Sequence, residues 1–311
     1  MDLPGKLIPG LTGFRPKSHL VAILAFALYG LGNAAFAGHD GSPLGLSFLR
    51  YFFGFLVVSI LVAKSPKSVL AALGNSSTWA LVVPQVVSNM AFMFSAKSVP
   101  LLVFVLFDAA IPALVALTAP LFGYRKLSKV EVFFGSSAMV SASLLVYLGG
   151  PSGSTPVSFG GLLLVALGVI SGAVALLTAP AATSSTRPVC LLWVFCAVGL
   201  VASCVVAVLG IDLRAGVSTV YSALFLALIA GGVGKLAIWR VSPKILPQHM
   251  ALLRYSSVAS SLVVGFVVLG VGISSAQFLV CGVLLVSVGV LSAHPTSLRP
   301  VPTPPRDELS R

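Results

Sequence analysis

The chain has 311 residues, of which 58% are hydrophobic and only 8% are charged, and its formal net charge is +12. A soluble domain carries about 25% charged residues, and a water-soluble fold of this size cannot bury so much apolar surface. The composition excludes an ordinary soluble enzyme, a disordered protein and a nucleic-acid-binding domain. It indicates a membrane protein that has the lipid bilayer as its main solvent.

Apolar segments of about 20 residues recur along the whole chain, and this length is enough to cross a hydrocarbon layer about 30 Å thick. The runs are continuous rather than alternating, so they predict helices and not the strands of a closed barrel. Residues 1–19 are predicted to be a cytosolic N-terminal segment, and the Pro-rich residues 294–311 a disordered cytosolic tail. Ten transmembrane helices are predicted, at 20–37, 44–63, 77–96, 101–121, 130–149, 157–178, 189–209, 218–239, 247–269 and 275–293.

The basic residues outside these spans are biased strongly toward one side of the membrane. If both termini are cytosolic, Lys97 and Arg214 are the only two on the outer side, and the arrangement obeys the positive-inside rule. The predicted location is the plasma membrane, with an organelle membrane as the alternative. A cleaved signal peptide ending near Ala37 is a further alternative, which would leave nine spans. The cytosolic basic residues are Lys6, Arg15, Lys17, Lys64, Lys67, Arg125, Lys126, Lys129, Arg187, Arg240, Lys244, Arg299, Arg306 and Arg311.

The two halves of the chain resemble each other. Pro100 aligns with Pro247, and Gly123 aligns with Gly270, at a constant offset of 147 residues. Because each half contains an odd number of predicted spans, the halves insert with opposite orientations. The predicted domains are therefore a first five-helix repeat over 20–149 and an inverted second five-helix repeat over 157–293. Inverted repeats are typical of secondary transporters, which hold their substrate near the membrane midplane between the repeats.

Charged residues within the predicted spans are candidate site residues, because a buried charge costs about 2.5–3.5 kcal/mol on insertion scales. Arg254 is predicted to bind an anionic group of the substrate. Asp108, the one acidic residue counted within the spans, is predicted to bind an ammonium or a coupling proton. In the repeat alignment Asp108 lies opposite Tyr255, and a structural Asp108–Arg254 ion pair is the alternative. Arg50 and Lys235 either contact the substrate or extend to the membrane surface.

Uncharged polar residues complete the predicted site. Gln85 and Asn89 are four residues apart, so they share one helix face, which we expect to line a pathway together with Asn33. The predicted cavity lies between the first, third, fourth, sixth, eighth and ninth spans. Gly231 and Gly232, in the eighth span, are interpreted as close-packing positions.

Four stretches carry a resemblance to a known family: LYGLGNAAFA (28–37), LSFLRYFFGFLV (46–57), IPALVALTAPLFGYRKLSKVEVFFGS (111–136) and WRVSP (239–243). In them the sequence resembles the drug/metabolite transporter superfamily, specifically the EamA-like ten-helix permeases. The resemblance implies transport of a small metabolite. The chain departs from the family pattern at Tyr124 and Val271, which replace the acid of a Gly-Glu pair, and at Ala259, which replaces a proline.

Motifs for other functions are absent from the sequence. It has no phosphate-cradling Gly-Lys loop, and its four histidines lack metal-ligand spacing, so no enzyme, cofactor or metal is predicted. The predicted function is a secondary transporter, monomeric or homodimeric, that moves an amino acid or organic anion by alternating access. The alternatives are an organic-phosphate or nucleotide-sugar antiporter, a structural membrane protein without cargo, and an intramembrane enzyme.

Overall fold

The structure, a computed structural model, describes residues 16–37, 40–95, 98–99, 101–124, 127–148, 158–210, 212–261 and 275–293. Throughout these ranges the regular structure is helical, without strands. Nine of the helices are α1 (Pro16–Ala37), α2 (Pro43–Val62), α3 (Pro66–Gly74), α4 (Ser76–Ser95), α5 (Leu101–Thr118), α6 (Lys129–Leu148), α7 (Phe159–Ser185), α8 (Pro188–Val208) and α11 (Ser275–Ala293).

The two remaining helices, α9 and α10, are irregular. Helix α9 begins as an α-helix over Val217–Phe225, becomes a π-helix over Leu226–Gly234, and returns to α-helix over Lys235–Val241. Helix α10 begins with Pro247–Leu253 and, after a turn at residue 254, continues over 255–261. Both irregularities lie next to basic residues that the sequence places inside spans.

Several helix boundaries follow from capping residues. The Ser42 side chain accepts a hydrogen bond from the Gly45 amide at 2.9 Å, and Pro43 occupies the first turn of α2, where its missing N–H is not needed. Ser158 caps α7 in the same way, through the Gly161 amide at 3.0 Å. After α5 the chain forms a short 3-10 helix over Ala119–Phe122, which ends at Gly123. The φ of Gly123 is 77°, a left-handed conformation that glycine adopts without strain.

Among the described residues, five helical segments are long and apolar enough to cross a membrane: Pro43–Val62, Ser76–Ser95, Phe159–Ser185, Pro188–Val208 and Val217–Lys244. Three shorter apolar stretches are Lys17–Gly32, Ala110–Phe122 and Ser275–Val290. Large apolar side chains also cover the outside of the bundle, among them Leu121 and Val208, which are 83% and 87% exposed. The described part of the chain is all helical, and the protein is an integral membrane protein. The predicted count of ten spans stays a prediction.

Helices from the two halves of the chain pack against each other rather than forming separate bundles. Helix α4 lies along α7, α2 along α8, and α6 along α11. Helix α10 follows α1 closely because its serines donate to α1 carbonyls: Ser256 to Ile23 at 3.1 Å and Ser260 to Ala27 at 2.9 Å. This interleaving brings α1, α2, α4, α7, α9 and α10 around one interior space.

Candidate functional site

A cavity of about 80 Å³ with both polar and apolar walls lies between α1, α2, α4, α7, α9 and α10. This volume holds several water molecules, since one water needs about 10–15 Å³ on the same measure. Relative to the predicted cavity, α2 is an additional wall, and no described side chain of α5 takes part. The lining residues include Phe26, Tyr29, Arg50, Gln85, Ser88, Asn89, Phe92, Leu176, Lys235, Ile238, Trp239, Met250, Arg254 and Ser257.

Five of the eight site residues predicted from sequence line this one cavity, although they come from four helices. Arg50 enters from α2, Gln85 and Asn89 from α4, Lys235 from α9 and Arg254 from the turn within α10. The predicted sharing of one helix face by Gln85 and Asn89 agrees with this arrangement. Arg50 and Lys235 are only 5% and 1% exposed, so neither side chain extends along the outside of the bundle.

The other three predicted site residues have different outcomes. Tyr255 is buried in the hydrophobic core and is not among the cavity-lining residues. The side chains of Asp108 and Asn33 lie outside the described residues. The predicted ion pair between Asp108 and Arg254 therefore stays a prediction.

Lys235 occupies an unusual environment for an ammonium group. Its Nζ lies 3.7 Å from the centre of the Phe195 ring and 5.4 Å from that of Trp239. These aromatic faces attract the cation, but Nζ has no hydrogen-bond partner among the described residues. The side chains of Asn89 and Tyr51 interact with each other, and Asn89 Nδ2 and the Tyr51 hydroxyl have no further hydrogen-bond partner among those residues. Since buried polar groups are normally hydrogen-bonded, these donors together mark a functional site or bound water.

The π-helical part of α9 lies directly before Lys235 and beside Arg50. A Cβ atom on Gly231 would come within 2.5 Å of the Leu226 carbonyl oxygen and 3.4 Å of Arg50 Nη2. A Cβ atom on Gly232 would lie 2.8 Å from the Ala227 oxygen. These carbonyls are five residues earlier, which is the π-helical spacing. The sequence suggested that Gly231 and Gly232 allow close packing between helices. In the structure they also permit the wide turns of the π-helix.

Sequence reasoning missed a buried acidic residue. Glu131 of α6 is 0% exposed, and its carboxylate pairs with Nε2 of His249 on α10, which is 2% exposed. The His19 ring of α1 lies edge-on to His249, with 6.3 Å between ring centres. The sequence-based count of Asp108 as the one acidic residue within the spans therefore overlooked Glu131. The residues SKVE (128–131) match a capping box, and Ser128 and Glu131 do cap each other's amides, but that signal does not predict burial.

A second interhelical contact lies beyond the opposite end of α1. Ser42 donates from its amide to the Arg214 carbonyl at 2.8 Å and from its hydroxyl to the Asp212 carbonyl at 2.6 Å. The Thr219 hydroxyl donates to the Asp40 carboxylate at 2.8 Å. Hydrogen bonds from Ser218 and Thr219 lower the pKa of the Asp40 carboxyl. Because α1 runs from His19 past the cavity toward Asp40, the cavity lies between two layers of polar contacts.

Comparison with known proteins identifies the fold alone. A solved structure titled "Crystal structure of protein" matches with a TM-score of 0.72 and covers 89% of this chain and 96% of that chain, at 16% sequence identity. Neither a protein-family model nor a curated protein sequence matches. The fold is therefore shared with a solved protein of almost the same extent, while the function has to be argued from the cavity.

Proposed function

We propose that the protein is a secondary transporter that moves a small polar metabolite, an amino acid or organic anion, across a membrane by alternating access. The observation that carries this proposal is the cavity inside the helical bundle, lined by Arg50, Lys235 and Arg254. Buried charges in membrane helices are costly and mark substrate or ion pathways. A space around them that holds several water molecules is suited to a small hydrophilic substrate.

The helix packing supports two inverted five-helix repeats. If the repeats are related by a two-fold axis, each long helix of the first half exchanges with one of the second. The corresponding pairs are α1 and α7, α2 and α8, α4 and α9, α5 and α10, and α6 and α11. The pairs α2–α8, α5–α10 and α6–α11 then map onto themselves, and all three are in contact. The same axis maps the α4–α7 contact onto the α9–α1 pair, and α9 does contact α1. It maps the α5–α7 contact onto the α10–α1 pair, and α10 also contacts α1. Such a pattern is the expected consequence of the repeat at residues 20–149 and 157–293.

Alternating access requires that contacts on the two sides of the cavity break in turn. The Glu131–His249 pair joins the two repeats at one end of the bundle, and the Ser42–Arg214 and Asp40–Thr219 contacts join them at the other. Both layers consist of polar contacts between separate helices or loops, and water can hydrogen-bond to these groups once a layer opens. Rocking of one repeat against the other would open each layer in turn, with both termini in the cytosol.

The cavity also bears on the alternatives. A structural protein without cargo would bury its charges in a dry interface, whereas here Lys235 lines a space that holds several waters. An organic-phosphate or nucleotide-sugar antiporter stays a second candidate, because three basic residues line the cavity. A whole nucleotide sugar, however, is far larger than a space of about 80 Å³, so that candidate requires a more open conformation.

Transport by the purified protein in liposomes tests the proposal. Proteoliposomes would be loaded with single amino acids, organic acids or phosphate esters, and exchange of the radiolabelled solute would be followed with and without a pH gradient. We expect saturable uptake of at least one small solute, absent from empty liposomes. Equal leakage of every solute from both preparations would contradict the transport function.

A further inference from the structure

We propose that Lys235, Asn89 and Arg50 form a subsite for the carboxylate of a small organic acid, and that the π-helical segment of α9 is required to build it. This inference rests on the proposed transport function and identifies the substrate class. It also assigns anion binding primarily to Lys235 rather than to Arg254.

Lys235 has hydrogen-bonding capacity that no described residue meets. An ammonium group carries three donors, and its burial is costly unless these donors find acceptors. Phe195 and Trp239 attract the cation through their ring faces, but they provide no lone pair. No described residue accepts a hydrogen bond from Nζ, which is buried, and Lys235 is one of the residues that line the cavity. A bound anion would supply the missing acceptors.

The described lining of the cavity is basic. Arg50 and Lys235 both line the cavity, and neither forms an ion pair with any residue that the structure describes. Asn89 adds an amide that interacts with the Tyr51 side chain and whose Nδ2 has no acceptor among those same residues. Within the described lining there is no aspartate or glutamate. This environment attracts an anion, and the planar guanidinium of Arg50 is suited to two-point contact with a carboxylate.

The remaining walls define the rest of the substrate. Phe26, Phe92, Leu176, Ile238 and Met250 are apolar and line the same space. A small acid with a short apolar body would place its carboxylate at the basic residues and its body against these side chains. The cavity of about 80 Å³ favours such a compact molecule over a phosphorylated sugar.

The π-helix explains how Lys235 reaches this position. Wide turns over Leu226–Gly234 change the rotation of α9 immediately before Lys235. They depend on Gly231, since a Cβ there would lie 2.5 Å from the Leu226 oxygen and 3.4 Å from Arg50 Nη2. Gly231→Ala should therefore convert the segment toward α-helix, which alanine favours, and rotate Lys235 out of the cavity. The same methyl group would come into van der Waals contact with Arg50 Nη2.

Binding to a protein with a single tryptophan tests the subsite. Trp239 lines the cavity, so replacing the other two tryptophans by Trp79→Phe and Trp193→Phe leaves one fluorescent reporter there. The probes would be isovalerate, its neutral isostere isovaleramide, isoamylamine and isobutyl phosphate. We expect saturable fluorescence changes with isovalerate and little response to the amide or the amine. An equal response to the amide, no response to isovalerate, or tighter binding of isobutyl phosphate would overturn the carboxylate assignment.

Substitutions test which residues form the carboxylate subsite. Lys235→Met preserves length and should weaken isovalerate binding about 10- to 100-fold, the effect of losing a charged hydrogen bond. Gly231→Ala should weaken it similarly, whereas Gly282→Ala, in an α11 position with open space around it, should not change it. Asn89→Asp places a carboxylate in the cavity; it should abolish probe binding and raise the melting temperature. Unchanged affinity in Lys235→Met, or unchanged melting temperature together with retained binding in Asn89→Asp, would overturn the proposal.

Liposome flux separates this proposal from the transport function. If isovalerate binds at Lys235 but no solute crosses the membrane, the subsite stands and transport is wrong. If an acid is transported equally well by the wild type and Lys235→Met, transport stands and the subsite assignment is wrong.

Discussion

The Glu131 carboxylate of α6 pairs with His249 Nε2 of α10, and both side chains are buried where α1, α6 and α10 begin. The two residues are 118 positions apart in the sequence, so their contact joins α6, in the first half of the chain, to α10, in the second half. Removing one partner of a buried pair leaves the other without compensation, which is usually worse than removing both.

Single substitutions of this pair should be strongly destabilising. We expect Glu131→Gln or His249→Leu to lower the free energy of unfolding by about 3–5 kcal/mol, with the double variant less destabilised than the sum of the two. Unfolding of the purified protein in mixed micelles would measure the cycle. Additive effects of the two substitutions would show that the residues do not stabilise each other.

The close approach of α1 to α10 depends on Gly30. A Cβ atom there would lie 1.8 Å from Ser260 Oγ and 2.2 Å from the Ser257 carbonyl oxygen, and the backbone carbonyl cannot move independently. Gly30→Ala should therefore lower the free energy of unfolding by at least about 1–3 kcal/mol, despite the better helix propensity of alanine. Gly160→Ala, which has no neighbour within 4 Å, is the control and should not destabilise. Equal stability of both variants would contradict the close packing of these helices.

The contact of Asp40 with Ser218 and Thr219 should depend on pH. Their hydrogen bonds lower the pKa of the Asp40 carboxyl below its ordinary value of 3.8. The stabilisation is therefore present in full above the unfolded-state pKa and is lost as the pH falls through the lower folded-state pKa. We expect Asp40→Asn to melt below the wild type at pH 6, with the difference shrinking toward pH 3. A difference in melting temperature that grows on acidification would contradict the stabilising role of the Asp40 carboxylate.

Much of the candidate site was predictable because charged residues inside apolar runs are rare. Arg50, Lys235 and Arg254 stand out for that reason, and all three line the cavity. Their meeting follows from the packing of α2, α9 and α10, which the repeat suggests but the composition alone does not. Tyr255, selected from the repeat alignment, is a core residue, since a residue next to Arg254 on a helix points in a different direction.

Two features were beyond sequence reasoning. Adjacent glycines are compatible with close packing, a hinge or a π-helix, and only the hydrogen-bond register of α9 distinguishes these possibilities at Gly231 and Gly232. Glu131 occupies the first turn of α6, where a charged residue is ordinary at a helix N-terminus. Its burial depends on α10 and α1 covering that terminus, which is a property of tertiary packing.

The orientation in the membrane predicts which loops react from outside. In a background without Cys190, Cys196, Cys204 and Cys281, membrane-impermeant maleimide should label cysteines that replace Ser42, Ser152 or Ser218 in intact cells. Cysteines at Ser65 and Ser184 should react only after permeabilisation, because the positive-inside rule predicts that the basic side of the protein faces the cytosol. Labelling of Ser65→Cys in intact cells would show that the predicted orientation or the predicted number of spans is wrong.

Arg254 provides the last prediction. It lies at the turn within α10, seven residues after Pro247 and about 10 Å along the helix axis at 1.5 Å per residue, and it lines the cavity. Arg240 and Lys244 already supply positive charge for orientation, so Arg254 is not required for topology.

Arg254→Lys should therefore preserve the fold but lose the two-point geometry of the guanidinium, and Arg254→Ala should reduce transport at least about tenfold while expression persists. Arg240→Ala, at an exposed position on α9, is the matched control and should transport normally. Solute exchange in proteoliposomes, measured at equal protein content, gives the rates and apparent affinities. If Arg254→Ala transports the identified solute with unchanged rate and affinity, Arg254 has a structural role and does not take part in the substrate site.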